Sequence, residues 1–246
     1  MRPVQFVRQA LIVVMLVLVV GVAQAAEPLF ARMDTDAGEI LLVFYPELAP
    51  HHVDNFVHLS RTGFYDGTRF HRIVPGFVIQ GGDPNSKDND PRNDGMGGPK
   101  MSDIYTADEQ ELVNDLNQKL ADRGYGPLVD SPASLKDEFS KSVHHVKGSL
   151  SMARSQSVDS AGSQFFVCTD ATPQLDGQYT LFGQVVMGQD VADSIVNAEK
   201  NPAAGRDAPA VPVVINHITI IEGIGGLTEA ENAAWGALPS DLKNVK

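Results

Sequence analysis

Cysteine and basic residues are scarce in this 246-residue sequence. The first scarcity excludes an internal disulfide, and the second argues against anionic partners. Cys168 is the only cysteine, so the chain can form no internal disulfide. It lies in an apolar run, which predicts a small buried core residue. Lys and Arg number 19 against 31 Asp and Glu, and the formal net charge is −12. A chain this acidic repels phosphate backbones and anionic lipid, so nucleic acid and membrane surfaces are not expected partners.

Long apolar runs are also missing, with one exception at the N-terminus. Residues 10–23 are apolar or Gly, Arg2 and Arg8 precede them, and Ala-Gln-Ala occupies residues 23–25. This order is typical of a cleaved signal peptide at residues 1–25, and the run is short for a membrane span of about 20 apolar residues. An uncleaved anchor is the alternative. We therefore expect export to the periplasm, no membrane attachment after cleavage, and a monomer.

Short strands and few helices make up most of the remaining pattern. Residues 29–34 and 39–44 flank a polar turn as a first hairpin, and residues 213–221 predict a last strand. Residues 50–63 have the early proline, apolar stripe and final glycine of a short amphipathic helix, and residues 189–196 predict a second helix. Many short strands with two helices favour a mainly β fold. Histidines predicted to lie exposed on the first helix, and not to bind metal, are His51, His52 and His58.

A polar region separates the first half of the chain from the second. Residues 84–99 are rich in Gly, Pro, Asn and Asp and predict a loop. Thr106 and Glu109 then form a capping-box pattern, and leucines follow at every fourth position from Leu112. These signals predict an extra helix within an insertion at about residues 100–131. Its carboxylates lack the spacing of a calcium-binding loop, so we expect a solvated acidic face.

The most informative stretch is FHRIVPGFVIQGGD, at residues 70–83. Pro75-Gly76 predicts a turn between two short extended segments. Because side chains alternate along an extended chain, Arg72 and Ile73 point to opposite faces. Taken alone, this pattern describes an ordinary hairpin with a solvated arginine. The Gly pair near its end lets another backbone come close.

This stretch resembles a signature of the cyclophilin-type peptidyl-prolyl isomerases. GSLSMARSQSVDSAGSQFFVCTD at residues 148–170 and LDGQYTLFGQV at residues 175–185 resemble the family's other two signatures, in the family's order. The resemblance covers roughly residues 28–222 and implies an isomerase domain at residues 26–222. The implied fold is a closed eight-stranded antiparallel β-barrel capped by two helices. Residues 223–246 are predicted to form a tail that is either mobile or clipped onto the barrel.

The resemblance also implies the residues that carry the chemistry. Arg72 matches the family's catalytic arginine, and Phe77 and Gln80 complete the expected catalytic group. The residues that match the proline pocket and the peptide-binding groups are Val78, Ala153, Gln164, Phe166, Leu175 and Tyr179. Rotation about an X-Pro bond requires no metal or cofactor, so none is expected. Tyr179 stands where eukaryotic members carry His, and it can supply an apolar wall and a hydroxyl. Gln174 stands where they carry Trp, which implies weak cyclosporin binding.

The implied function is isomerisation of X-Pro bonds in proline-containing peptides and in unfolded exported proteins. The alternative is a non-catalytic module or chaperone that binds proline-containing segments in the same groove, a role that would explain the acidic insertion. A hydrolase built on Ser151 or Ser163 is disfavoured because neither serine lies in a nucleophile-elbow sequence. His144 and His145 are expected to be strand or loop residues and not ligands.

Overall fold

A computed structural model describes residues 27–201, 207–243 and 245 of the chain. The expected signal peptide at residues 1–25 lies outside the described residues. The strands are β1 (Leu29–Thr35), β2 (Gly38–Phe44), β3 (Arg72–Val74), β4 (Val78–Gly81), β5 (Ser149–Met152), β6 (Phe165–Cys168), β7 (Leu181–Met187) and β8 (Ile215–Glu222). The α-helices are α1 (Pro50–Arg61), α2 (Met101–Ile104), α3 (Ala107–Asp122), α4 (Gln189–Val196), α5 (Glu229–Ala237) and α6 (Ser240–Lys243).

The strands form one antiparallel sheet in the order β3-β4-β6-β5-β7-β2-β1-β8. The prediction of a mainly β, eight-stranded antiparallel fold is confirmed, whereas the prediction of a closed barrel is wrong. Within the described residues no strand ladder joins β3 to β8, and residues 67–70, just before β3, instead make backbone hydrogen bonds with residues 213–215. The two ends of the curled sheet meet through an isolated bridge between Arg69 and Val214 and a bond from Gly67 N–H to Ile215 O of 2.8 Å.

The main core lies between the inner face of the curled sheet and two helices. Ile73 of β3, Ile79 of β4 and Phe165 of β6 point into it and are fully buried. Phe56 of α1 lies in the centre of an aromatic group, with its ring 5.3 Å from that of Phe165 and 4.9 Å from that of Tyr65. Helix α4 covers the other end with its own buried residues. The inner face of the sheet is therefore filled with packed apolar side chains, and polar side chains such as Arg72 and Gln80 lie on the outer face.

Both capping helices occupy the predicted positions, but the prediction that His52 is exposed is wrong. His52 is fully buried, and its Nδ1 lies 2.7 Å from Glu138 Oε2. The same carboxylate accepts the backbone N–H groups of His51 and His52 at the start of α1. Since Ala49 offers no capping side chain, Glu138 satisfies helix-terminal donors that otherwise lack partners. The sequence gives no local sign of this contact because the partners are 86 positions apart.

The predicted extra helix is confirmed as α3, with Thr106 and Glu109 forming the capping box at its start. The two ends of the insertion lie side by side. Lys100 bridges Pro132, and the N–H of Met101 donates to Ser131 O at 2.9 Å. The insertion therefore leaves and re-enters the domain at one place.

The C-terminal residues add a helix to the outer face of the sheet. Arg32 of β1 forms two hydrogen bonds of 2.6 Å with Glu231 of α5, whose side chain is 1% exposed. Trp235 packs edge-on against Phe30, with ring centres 5.2 Å apart. These contacts clip α5 onto the outer face of the sheet at β1. Among the described residues no helix is long and apolar enough to cross a membrane.

Candidate active site

The site is built on the short hairpin of β3 and β4. The N–H of Phe77 donates to Val74 O at 2.9 Å, with Pro75 and Gly76 between them. Gly76 has a φ of +70°, the left-handed conformation that a type II turn requires after proline. The predicted turn is thus confirmed. Because Phe77 lies in the turn and not in the strand, its ring shares a side with Val78 and escapes the alternation expected of an extended chain.

Three of the predicted site residues lie side by side across three neighbouring strands. Arg72 pairs with Gln80 in the register of β3 and β4, and Gln80 pairs with Phe166 in the register of β4 and β6. Residues directly opposite in antiparallel strands project from the same face of the sheet. The outer face therefore presents a cation, an amide and an aromatic ring in a row.

A chain of hydrogen bonds fixes the polar members of this row. Arg72 Nη1 donates to Gln80 Oε1 at 3.2 Å, and Gln80 Nε2 donates to Gln164 Oε1 at 3.0 Å. Gln164 Nε2 in turn donates to Gly97 O at 2.8 Å. On its other side, Arg72 Nε lies 3.8 Å from Asp207 Oδ2. The Arg72 side chain is 40% exposed, so it is held in place yet open to a ligand.

An apolar cluster separate from the main core lies beside the guanidinium. Val78, Phe166 and Leu175 are buried in it, with Phe77 and Tyr179 packed against them. The Phe166 and Tyr179 rings meet edge to face at 5.6 Å. A cavity of about 150 Å³ opens here, bounded by these side chains together with Arg72, Gln80, Ala153 and Arg154. A pocket with an apolar wall and one cationic edge suits a small ring next to a polar amide.

The structure brings eight of the predicted site residues into one cavity and places the ninth in the adjoining groove. The ninth is Gln164, which lines that groove with Gln80 and Ala153. Sequence reasoning missed Arg154, whose Cζ lies 5.1 Å from the centre of the Tyr179 ring. Its Nε donates to Gln178 O at 2.9 Å, which holds the cation at the rim. Its position directly after Ala153 in the second signature was the only available signal.

The adjoining groove continues the site along the surface. It has a volume of about 540 Å³ and runs from Gln164 past residues 95–99 to residues 132–134. Gly82 allows its chain to approach Ser163, which lines the groove, because a Cβ at position 82 would lie 2.5 Å from Ser163 O. Its φ of +81° also favours glycine. The predicted close backbone approach at the glycine pair is confirmed.

A buried polar row beneath the pocket was also missed. His145 Nδ1 lies 2.9 Å from Asp176 Oδ1, and its Nε2 lies 2.8 Å from Ser151 Oγ. Burial lowers the pKa of His145, and the bond with Asp176 opposes this only in part. The arrangement has the order of a hydrolase triad, but Ser151 is fully buried and cannot reach a substrate carbonyl. The His145 ring lies 6.3 Å from that of Phe166, so the row supports the pocket from below.

Neither a reactive thiol nor a metal-binding cluster is found in the part of the chain that the structure describes. Cys168 is fully buried, as predicted, and burial raises the pKa of its thiol to about 11, which keeps it protonated and unreactive. No group of three or more His, Cys, Asp or Glu in the described ranges is arranged to hold a metal ion.

Known proteins resemble the chain over most of its length. The family model described as "Cyclophilin type peptidyl-prolyl cis-trans isomerase/CLD" matches residues 30–220. Peptidyl-prolyl cis-trans isomerase A of Dickeya dadantii is 33% identical over 196 residues, which cover 77% of this chain and 83% of that protein. Peptidyl-prolyl cis-trans isomerase-like 2 of Gibberella zeae is 34% identical over 78% of this chain. The chain spans only about a quarter of the length of that fungal relative and of similar plant and fission-yeast relatives.

Solved structures agree with this match. A Cryptosporidium parvum cyclophilin type peptidyl-prolyl cis-trans isomerase, solved in the presence of the dipeptide Ala-Pro, superposes with a TM-score of 0.60 at 26% identity. The superposition covers 78% of this chain and 98% of that one. With the family model matched across well over half of the sequence, the chain belongs to the cyclophilin type peptidyl-prolyl cis-trans isomerase family.

Proposed function

We propose that this protein accelerates cis-trans isomerisation of X-Pro bonds, with Arg72 as the catalytic donor. The observation that carries the proposal is the position of the Arg72 guanidinium at the edge of the apolar cavity formed by Phe77, Phe166 and Leu175. A proline ring in that cavity brings its ring nitrogen next to the cation. The Ala-Pro dipeptide used with the Cryptosporidium relative supports the same ligand class.

The chemistry needs only binding and one donor. Conjugation of the amide sets a rotation barrier of about 18–20 kcal/mol, and uncatalysed X-Pro isomerisation takes tens to hundreds of seconds. In the twisted transition state the prolyl nitrogen regains its lone pair and becomes a hydrogen-bond acceptor. Arg72 donates to it from a planar group that stays charged. Because a planar amide nitrogen offers no such acceptor, this bond stabilises the transition state selectively.

The remaining groups hold the peptide while its bond rotates. Gln80 keeps Arg72 oriented through their hydrogen bond of 3.2 Å. Gln164 and the backbone of Ala153 border the groove and serve as partners for the peptide main chain. Val78 and Tyr179 complete the wall around the proline ring. Fixing the ring and one side of the amide allows the other side to turn.

The test is a protease-coupled isomerisation assay on a short X-Pro peptide with wild type and Arg72→Ala. We expect kcat/KM to fall by about 10²–10³ in Arg72→Ala, the usual loss for one transition-state donor. Arg92→Ala is the matched control, since Arg92 is an exposed arginine paired only with Asp90 in the described structure. Circular dichroism verifies that both variants fold.

The same experiment separates an enzyme from a binding module. If the protein is an enzyme, Arg72→Ala should bind the peptide with nearly unchanged affinity but lose turnover. Wild-type protein that binds the peptide without accelerating isomerisation would support the non-catalytic alternative. Turnover of Arg72→Ala equal to that of Arg92→Ala would remove Arg72 from the mechanism.

The client proteins and compartment form the second part of the proposal. The basic, apolar and Ala-Gln-Ala order at residues 1–25 supports export, so the proposed clients are exported proteins that fold in the periplasm. Cell fractionation tests this part: the protein should appear in the periplasmic fraction, shortened by about 25 residues at its N-terminus. Retention of the full-length chain in the cytoplasm would contradict it.

A further inference from the structure

Helix α3 exposes an apolar stripe that the fold does not cover. None of its sixteen residues is buried. Leu112 is 67% exposed and Leu116 is 42% exposed, one turn apart on the same side. A helix with leucines at this spacing normally buries them against its own domain. Here they face outward in the described structure.

The segment that follows α3 adds further exposed apolar side chains beside the helix. It folds back along the helix, with the N–H of Leu128 donating to Asn117 Oδ1 at 2.8 Å. Val129 is 89% exposed and Tyr125 is 67% exposed. Single exposed apolar side chains are ordinary, whereas a group of them marks an interaction surface. We call this group the α3 surface, formed by Leu112, Leu116, Tyr125, Leu128 and Val129.

Acidic side chains border the α3 surface along the helix. At about 100° per residue, Asp108, Glu111, Asp115 and Asp122 fall on one side of α3, next to Leu112. Residues 100–131 together contain seven acidic and three basic residues. The surface therefore combines uncovered apolar groups with negative charge. Its complement is a polypeptide that carries both apolar and basic side chains.

The groove described above leads from the pocket to the base of this insertion. It begins at Gln80 and Gln164 and ends between residues 95–99 and residues 132–134. These two segments flank the insertion on either side. A peptide with its proline beside Arg72 can leave the pocket only over the surface of the protein. Its extended continuation along this groove arrives at the insertion. Helix α3 is about 24 Å long, the span of about seven extended residues.

We propose that the α3 surface binds a segment of the same client polypeptide whose proline occupies the pocket, and that this segment contains apolar and Lys or Arg side chains. The inference rests on the proposed isomerase function, because the pocket and groove define where the client lies. An anionic segment is repelled by the acidic border, and a purely polar one leaves the leucines uncovered. The insertion thus selects clients without taking part in bond rotation.

The test compares three peptides that share one X-Pro core. The first has no extension, the second has a flexible tail of Leu and Lys, and the third has a tail of Leu and Glu, each tail being placed in turn at either end. For wild type we expect the Leu/Lys tail at one end to lower KM by about tenfold at low salt, with kcat unchanged. The Leu/Glu tail should not lower KM.

Two variants assign the effect to the α3 surface. Leu112→Gln with Leu116→Gln should abolish the KM difference between the tailed and untailed peptides and leave turnover of the untailed peptide unchanged. Glutamine keeps a high helix propensity, and neither leucine is buried, so the helix should persist. The charge variant is Asp108→Asn, Glu111→Gln, Asp115→Asn and Asp122→Asn. In this variant the effect of the Leu/Lys tail on KM should no longer depend on the salt concentration.

A matched control removes the same number of exposed acids elsewhere. It contains Asp34→Asn, Asp54→Asn, Asp190→Asn and Glu229→Gln, and it should keep the full effect of the Leu/Lys tail. The proposal is overturned if the leucine variant still shows the tail effect, or if the control loses as much as the charge variant. It is also overturned if sedimentation shows a wild-type dimer that the leucine variant dissociates, since the surface then belongs to a second copy.

Direct binding separates this inference from the function beneath it. A proline-free Leu/Lys peptide should bind wild type at least about tenfold more tightly than the leucine variant, as measured by fluorescence anisotropy. Absence of turnover on every X-Pro peptide, with this binding intact, would refute the isomerase function and keep the α3 surface as a peptide site. Normal turnover with equal, weak binding to both proteins would refute the surface alone.

Discussion

Gln174 shows how a single side chain at the rim can affect an inhibitor without affecting the proposed reaction. It is exposed, while the next residue, Leu175, is buried in the pocket. Turnover is expected to depend on Arg72 and the apolar side chains of the pocket. Gln174 does not line this pocket. The resemblance implies that the Trp found here in eukaryotic members donates its indole N–H to cyclosporin. A flexible amide loses more rotamer entropy and covers less apolar surface.

We predict that cyclosporin inhibits the protein poorly and that Gln174→Trp strengthens inhibition more than it changes turnover. One net hydrogen bond is worth about 0.5–1.5 kcal/mol, and with the aromatic contact this corresponds to an improvement of one to a few powers of ten. The measurement is an inhibition titration of both proteins with the same X-Pro peptide. Equal and tight inhibition of the two would show that this position does not set the affinity for the drug.

At the scale of elements, the insertion is joined to the domain at one narrow place. Ser102 donates to Asp130 through its N–H at 3.0 Å and its hydroxyl at 2.7 Å, so the two ends of the insertion stay together. Ile104 of α2 packs against the main core, whereas α3 buries nothing. The part beyond α2 can therefore be removed without opening the core.

We predict that replacing residues 105–129 by a short Gly/Ser linker leaves turnover of a short X-Pro peptide within about twofold of wild type, since surface changes away from the pocket cost little. The lining residues of the pocket all lie outside this segment. The measurement is kcat/KM for an untailed peptide, with circular dichroism to verify folding. Loss of turnover in a folded deletion variant would make the insertion part of the active site.

A buried ion pair helps to hold helix α5 on the sheet. Arg32 bonds to Glu231 through two nitrogens, and the N–H of Thr228 donates to the same carboxylate at 2.7 Å. The bond with Arg32 lowers the pKa of Glu231 from 4.5 to about 2. A carboxylate whose pKa is lower in the folded state contributes its full stabilisation above pH 4.5 and loses it as the pH falls toward 2.

We predict that Glu231→Gln lowers the free energy of unfolding by about 3 kcal/mol, near the lower end for breaking a buried pair, because Arg32 keeps some contact with water. Glu229→Gln, in the exposed first turn of the same helix, is the control and should change stability by less than about 1 kcal/mol. Urea unfolding at neutral pH gives both values. Equal losses in the two variants would mean that the pair does not hold α5.

At the scale of the whole molecule, buried histidines connect stability to pH. Burial lowers the pKa of His52, His71 and His145 below the ordinary value of 6.5. Between 6.5 and these lower values the unfolded chain binds more protons than the folded one. The free energy of unfolding therefore rises with pH in this window and falls when the histidines must become charged.

We predict that the free energy of unfolding decreases steadily as the pH is lowered from about 7.5 to 5.5, across the ordinary histidine pKa. Urea unfolding at half-unit steps measures this slope. His145→Gln removes one of the three groups and should give a shallower slope, although its stability at pH 7.5 is also lower because Ser151 and Asp176 lose a partner. A flat curve for wild type would contradict the prediction.

Local rules were sufficient for several elements and for the direction of Arg72. The proline and apolar stripe of α1, the capping box of α3 and the turn at Pro75 each depend on residues a few positions apart. Alternation along β3 correctly placed Arg72 and Ile73 on opposite faces. The resemblance supplied the remaining pocket residues, because spacing in the sequence cannot show that Leu175 lies beside Phe77.

Long-range contacts decided what the sequence left open or predicted wrongly. His52 is buried because Glu138 reaches the start of α1, and the row of Asp176, His145 and Ser151 forms only when separate loops and strands meet. The ladder of described strands ends at β3 and β8, and the two ends of the sheet meet through hydrogen bonds between residues 67–70 and residues 213–215. The spacing of its leucines predicted helix α3. Only the folded arrangement shows that no other described residue buries these leucines. Hydrophobic patterning fixes which side chains share a face, whereas burial and charge pairing depend on partners that only the tertiary fold brings within reach.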